Sequence, residues 1–178
     1  MSFAFHLGPK GNTVKRYMRA ASLALGLLSI LSVAGPAAAR ESVPLHGSYE
    51  GTVAVVPSTP PFLDALLDAT GHANHLGRFT LIEPHRVNLE TATGVATYTF
   101  VAANGDTLTA EGTATAAPTD RPNVLFIVEH ATITGGTGRF AGATGSFTIE
   151  RVQTTTPEVI TVSCSIKGTL LLQEGGHR

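Results

Sequence analysis

Two adjacent positions on one run of alternating side chains, and one on the next, carry the most informative chemistry in this chain. From Asn123 to Ile133, one face presents Leu125, Ile127, Glu129, Ala131 and Ile133, and the other Val124, Phe126, Val128, His130 and Thr132. Such period-two spacing is that of a β-strand. Whichever face points inward therefore takes a titratable group with it, Glu129 or His130. Arg151 lies in the following alternating run. If the two runs form a hairpin symmetric about Phe140, Ile133 faces Phe147, Ala131 faces Ile149 and Glu129 faces Arg151 as a cross-strand pair. Inside a protein such a pair is a costly structural device or a ligand-orienting site. At an open end it is a solvated ion pair of little consequence.

Other reactive side chains give weaker patterns. Cys164 is the only cysteine, so no intramolecular disulfide can form. It shares its face with Ile160, Val162 and Ile166, the placement of a buried, inert thiol. Six histidines follow position 39, and His72 and His75 are three apart, yet a glycine-containing segment without a fixed third ligand is a poor metal site. No Ser-His-Asp order or paired catalytic carboxylates stand out. The reading is of a protein with no metal and no cofactor, whose status as an enzyme is open.

The elements that must position these groups are strands. His46 to Val56, His75 to Glu83, His85 to Thr91, Gly94 to Ala103 and Asp106 to Ala116 precede the two runs above, and Val159 to Leu172 closes a count of eight. Pro84 reads as a corner and Asn104-Gly105 as a tight hairpin turn. Leu108, Ala110, Gly112, Ala114 and Ala116 form a face of mostly small residues that could sit opposite Tyr98 and Phe100. Either this face packs tightly or it leaves room for a ligand beside Tyr98 and Phe100. Between Pro57 and Asn74, Phe62, Leu63, Leu66 and Leu67 recur at helical spacing, with Asp64 and Asp68 on another face. That segment reads as a short amphipathic helix, a candidate lid over one mouth of a barrel. The stretch Ile133 to Phe147 holds five glycines, which supply positive φ angles and let backbones approach closely, so it reads as a specified turn joining two strands. It lacks the Lys-Ser/Thr ending of a phosphate-binding loop. One helical turn at Arg139 to Ala141 would tuck Phe140 against the end of the sheet.

The run Ile133-Thr134-Gly135-Gly136-Thr137-Gly138, with Phe140 and then Ala143-Thr144-Gly145, resembles the glycine signature of dirigent proteins and the allene oxide cyclase barrel superfamily. The chain is most similar to bacterial secreted members, with further likeness at His75 to Thr80 and at Ala103 to Leu108. The resemblance implies an all-β, eight-stranded antiparallel barrel, often trimeric, with an apolar cavity. No motif match carries the family's catalytic residues onto this chain, and fold alone does not settle activity.

Residues 1–39 have the form of a secretory signal. Lys10, Lys15, Arg16 and Arg19 precede the apolar stretch Ala20 to Val33, and Ala37-Ala38-Ala39 provides a small-residue cleavage site. The expected product is a single β-barrel domain over residues 40–178, secreted or periplasmic and free of the membrane. All thirteen acidic residues but only eight of the twelve basic ones lie beyond position 39. Such a net-acidic domain is a poor partner for nucleic acid, whose binding rests on phosphate neutralisation. Three functions fit: a module binding a small hydrophobic or aromatic molecule, an isomerase or cyclase shaping a reactive intermediate, and a structural envelope protein with a filled barrel.

Overall fold

The computed structural model describes residues 40–173. The expected signal segment, residues 1–39, lies outside them. Eight strands follow one another: β1 (Arg40–Val56), β2 (Phe62–Ala73), β3 (Gly77–Asn88), β4 (Thr93–Ala102), β5 (Thr107–Pro118), β6 (Val124–Gly136), β7 (Thr144–Thr155) and β8 (Ile160–Gln173). Each pairs antiparallel with its sequence neighbours, and β8 returns to β1 from Arg40↔Gln173 to Val53↔Ile160, so the sheet closes into a barrel. Closure leaves no edge strand unpaired. Alternation then decides the interior: along β8, Val162, Cys164 and Ile166 are buried while Thr161, Ser163 and Ser165 face out.

The expected helix over Phe62 to Leu67 is instead the start of β2. Its two leucine pairs satisfy a helical period, but Leu63, Ala65, Leu67, Ala69 and Ala73 also satisfy a period of two once alanines count as apolar. The strand has ladders on both sides, to β1 (Val53↔Leu67) and to β3 (Leu67↔Glu83), which satisfy its backbone and bury its inner face. Leu67 is fully buried, whereas Leu66 and Phe62 are 39% and 43% exposed on the outside. Pro84 likewise ends no strand. The ladder from β3 to β4 lapses at Glu83 and Pro84, where proline has no N–H to give, and resumes at His85↔Ala96 in the same register. The count of eight therefore stands with different members, since one strand expected in two pieces is continuous and one expected as a helix is a strand.

The register of the β6–β7 hairpin also differs from the expected one. Ile133 pairs with Gly145, Ala131 with Phe147, Glu129 with Ile149 and Ile127 with Arg151. The hairpin is centred on Arg139 rather than Phe140. A shift of two positions keeps each side chain on its face, so Glu129 and Arg151 both remain inward, as diagonal neighbours. The turn contains a single 3-10 turn, Gly138–Phe140, which places Phe140 wholly inside the barrel. Gly138 has φ +56°, and its Cα packs so closely on the Asp106 carboxylate that a Cβ would collide with it. The Asn104-Gly105 hairpin is present, with the Gly105 N–H donating to the Ala102 carbonyl at 2.9 Å.

The interior divides into two halves along the axis. At the end closed by the glycine-rich turn, Tyr49, Phe79, Phe100, Tyr98 and Phe147 pack largely edge to face, with ring centroids 5.2 Å apart for Phe79 and Phe100 and 5.8 Å for Tyr98 and Phe147. Such aromatic packing fills volume at close to crystal density. Toward the opposite end no Phe or Tyr ring points inward among the described residues, and several inward positions are small, among them Ala65, Ala96, Gly112, Ala114 and Ala116. Small residues across facing strands leave space that the other half does not have. On the outside of β6, Phe126 is 38% exposed and Val128 half-buried, so that face is open to solvent in the single chain.

Candidate functional site

Where the two halves meet, four strands put polar groups on the axis. Glu83 and His85 point in from β3, Glu129 from β6 and Arg151 from β7, while Tyr98 of β4 stands beside Glu129. Glu83, Glu129 and Arg151 are each exposed by 2% or less. A single guanidinium nitrogen, Arg151 Nη2, serves both carboxylates, donating to Glu83 Oε1 at 2.6 Å and to Oε2 at 2.7 Å. It lies 2.6 Å from Glu129 Oε1 as well, an ion pair that is out of line for a hydrogen bond. The Tyr98 hydroxyl donates to the other oxygen, Glu129 Oε2, at 2.5 Å. His85 Nδ1 sits 3.4 Å from Glu83 Oε1 and 3.3 Å from the Glu83 carbonyl oxygen. Two further polar atoms at this level, Arg151 Nε and the Tyr49 hydroxyl, have no hydrogen-bond partner among the described residues.

Burying two carboxylates against one guanidinium sets the electrostatics. Burial, then the charge of Glu83, pushes Glu129 up to about 7, against a partial pull downward from Arg151 and Tyr98. Burial also raises Glu83, though Arg151 opposes it by charge and hydrogen bond. His85 is depressed, first by burial and then by Arg151, which favours the neutral imidazole. Arg151 itself is held firmly charged, because Glu83 and Glu129 outweigh the burial that opposes its charge. Near neutral pH the layer therefore holds a carboxyl at Glu129 that can give up or take a proton, beside an ion pair of Glu83 and Arg151.

This layer is the floor of a cavity of about 130 Å³ that opens at the end of the barrel remote from the glycine-rich turn. Its walls are apolar or small, among them Val53, Leu63, Val87, Ala96, Ala114 and Ile127, and its polar groups are concentrated at Glu83, His85, Glu129 and Arg151. An apolar chamber with a few convergent polar groups is the usual form of a small-molecule site.

The residues singled out in the sequence are brought together in part. Glu129 faces inward and lines the cavity with Arg151; His130 points outward, its Nδ1 3.2 Å from the Thr148 hydroxyl. Tyr98 reaches the layer through its hydroxyl. Phe100 does not reach it: it lies deeper, packed on Phe79 and Phe147. Of the four lid candidates, Leu63 lines the cavity, Phe62 stands on the rim with the Arg86 guanidinium 5.8 Å from its ring, Leu66 faces outward and Leu67 belongs to the core. No lid is built from them. Cys164, opposite both Tyr49 and Arg151 in register, is buried, which pushes its thiol up to about 12 and leaves it a poor nucleophile. Glu83 and His85 went unrecognised because Pro84 broke the run; read through it, Phe79, Leu81, Glu83 and His85 alternate onto one face. Tyr49 carried the same signal in β1.

No family model matches the chain, and no curated protein matches it. Among solved structures, that of a pterocarpan synthase dirigent protein superposes with a TM-score of 0.54 at 15% identity, covering 76% of this chain and 87% of that one. The barrel is dirigent-like. At this identity the likeness establishes the fold alone, and it bears on the dirigent half of the resemblance noted in the sequence, not on allene oxide cyclases. The dirigent-like barrel thus supplies the scaffold, while the polar layer across β3, β4, β6 and β7 is read from this chain's own residues.

Proposed function

We propose that this dirigent-like barrel binds a small, mainly apolar molecule in the open half of its interior, with the molecule's polar end on Glu129 and Arg151. One observation carries the reading: the same barrel is packed with aromatic rings on one side of the polar layer and holds a cavity of about 130 Å³ on the other. A protein selected only for stability would gain by filling that half, since space without partner atoms forfeits dispersion contacts. The half-hollow interior also speaks against an envelope protein with a filled barrel. Export through residues 1–39 belongs to this proposal, and N-terminal sequencing of the protein recovered outside the cytoplasm tests it. A thermal-shift panel of phenols, aromatic aldehydes, fatty alcohols and fatty acids tests binding, because a ligand at 100 times its Kd stabilises by about 2.7 kcal/mol. Stabilisation by at least one apolar class is expected; none by any class overturns the proposal.

A second reading is an isomerase or cyclase that shapes a reactive intermediate. It is favoured by Glu129, held near neutrality in an apolar chamber where it can donate and recover a proton. The structural neighbour is a dirigent protein that acts as a pterocarpan synthase. Analysis of the bound compound with wild type and Glu129→Gln separates the two: a binding protein returns its ligand chemically unchanged in both, whereas an enzyme that uses this proton converts it and loses turnover in the variant by far more than it loses affinity.

A further inference from the structure

The charge pattern of the cavity floor narrows the ligand. We infer that the site admits molecules with an uncharged, hydrogen-bonding head group, such as an alcohol, phenol or aldehyde, and turns away the matching carboxylate. This rests on the binding proposal above and deepens it. Every charged or titratable group facing the floor contributes to the balance. Two carboxyl groups, Glu83 of β3 and Glu129 of β6, meet one guanidinium, Arg151 of β7, and the imidazole of His85 adds no fixed charge. Tyr98 of β4, Tyr49 of β1 and Cys164 of β8 are held neutral by burial. The inward positions of β2 and β5 at this level, such as Ala65 and Ala114, carry no titratable group.

Arg151 is thus already claimed. Its Nη2 has three carboxylate oxygens within 2.7 Å, so its positive charge is already set against two acidic groups before any ligand arrives. A ligand carboxylate would be the third acidic group around one positive charge in a site walled by Val, Leu, Ile and Ala, where such repulsion is poorly screened. A neutral head group meets no such penalty. Among the described residues, two atoms of the layer lack a directed hydrogen bond: a donor, Arg151 Nε, and an acceptor, Glu129 Oε1. Both belong to residues at least 98% buried, so a partner for them would relieve a cost the protein now carries. One donor and one acceptor suit a hydroxyl, which can serve both, or a carbonyl, which satisfies the donor.

The size of the cavity, about 130 Å³, selects the probes, because an engineered apolar cavity of about 150 Å³ in another protein takes up benzene. Isothermal titration of the purified protein with benzyl alcohol, benzaldehyde, benzoate and benzylamine at pH 8 compares head groups on one ring. The alcohol and the aldehyde are expected to bind at least tenfold more tightly than benzoate. In Glu129→Gln, which removes one negative charge and keeps the side-chain volume, that ratio should fall at least fivefold. The wild type supplies a second measurement that needs no variant. Benzoate is ionised at both pH 5.5 and pH 8, so the preference for the alcohol should grow as Glu129 loses its proton. Benzoate binding within twofold of the alcohol, or benzylamine binding most tightly, overturns the selection for neutral head groups while leaving the binding reading in place. Failure of all four probes to bind overturns both.

Discussion

Glu129 is the residue whose protonation should be visible without any ligand. Its carboxyl is held at about 7 inside the barrel and returns to the ordinary carboxylate range on unfolding. Between those values the folded chain keeps a proton that the unfolded chain releases, so the Glu129 contribution to stability is present at pH 5 and is lost as the pH rises through 7. Two half-buried carboxylates held low by neighbours, Asp64 beside Arg86 and Asp106 beside Asn104 and Arg139, titrate below this window. His85 runs the other way: depressed by burial, it lends stability above its unfolded value that fades as the pH falls. The readout is therefore the difference between variants. Glu129→Gln, compared with wild type by urea unfolding at pH 5 and pH 8, should gain relative stability on the order of 2–3 kcal/mol as the pH rises. A difference that stays constant across the window would show that Glu129 is ionised throughout, with Arg151 outweighing its burial.

At the scale of elements, β2 shows what alternation alone can and cannot specify. Phe62, Leu63, Leu66 and Leu67 fit a helix and a strand equally well, and in isolation helical spacing looks the stronger because leucine is the larger apolar signal. What decides is tertiary: β1 and β3 offer ladders on both sides, and Ala65, Ala69 and Ala73 complete an inner face that a count of large residues overlooks. The contrast is measurable at adjacent positions. Leu67→Ala should cost about 2–5 kcal/mol, since it empties a fully buried site. Leu66→Ala, on the outer surface, should stay within about 0.5 kcal/mol. Equal losses at the two positions would restore the helix and its lid. The same reasoning marks how far the site was legible. Glu129 and Arg151 could be placed on one inward face from alternation, because a two-residue error in register changes the partner and not the side. Glu83 and His85 could not, because a proline that breaks a run of signals in sequence only interrupts a ladder in space. The floor of the cavity is assembled from four strands, and a single hairpin is as far as local pattern reaches.

Considered as a whole, the molecule puts rigidity and capacity at opposite ends of one closed sheet. Phe140, carried in by the glycine-rich turn, and the aromatic rings beside it form a base that does not depend on the open half. The small residues of β5, by contrast, gain nothing evident from packing: Ala114 and Ala116 are half-buried and line the cavity. If the chamber is what selection has kept, filling it should leave the fold intact and abolish uptake. Ala114→Phe projects a ring into the space above Glu129, with which Ala114 pairs in register. The added apolar contact offsets any local strain, so unfolding should shift by no more than about 1–2 kcal/mol in either direction. Uptake of benzyl alcohol, followed by calorimetry, should be lost. Because β6 and the polar layer remain in place, the pH-dependent stability difference produced by Glu129→Gln should survive in this background. A variant that folds, keeps that dependence and still binds the alcohol with wild-type affinity would place the ligand elsewhere and remove the chamber from the account of function.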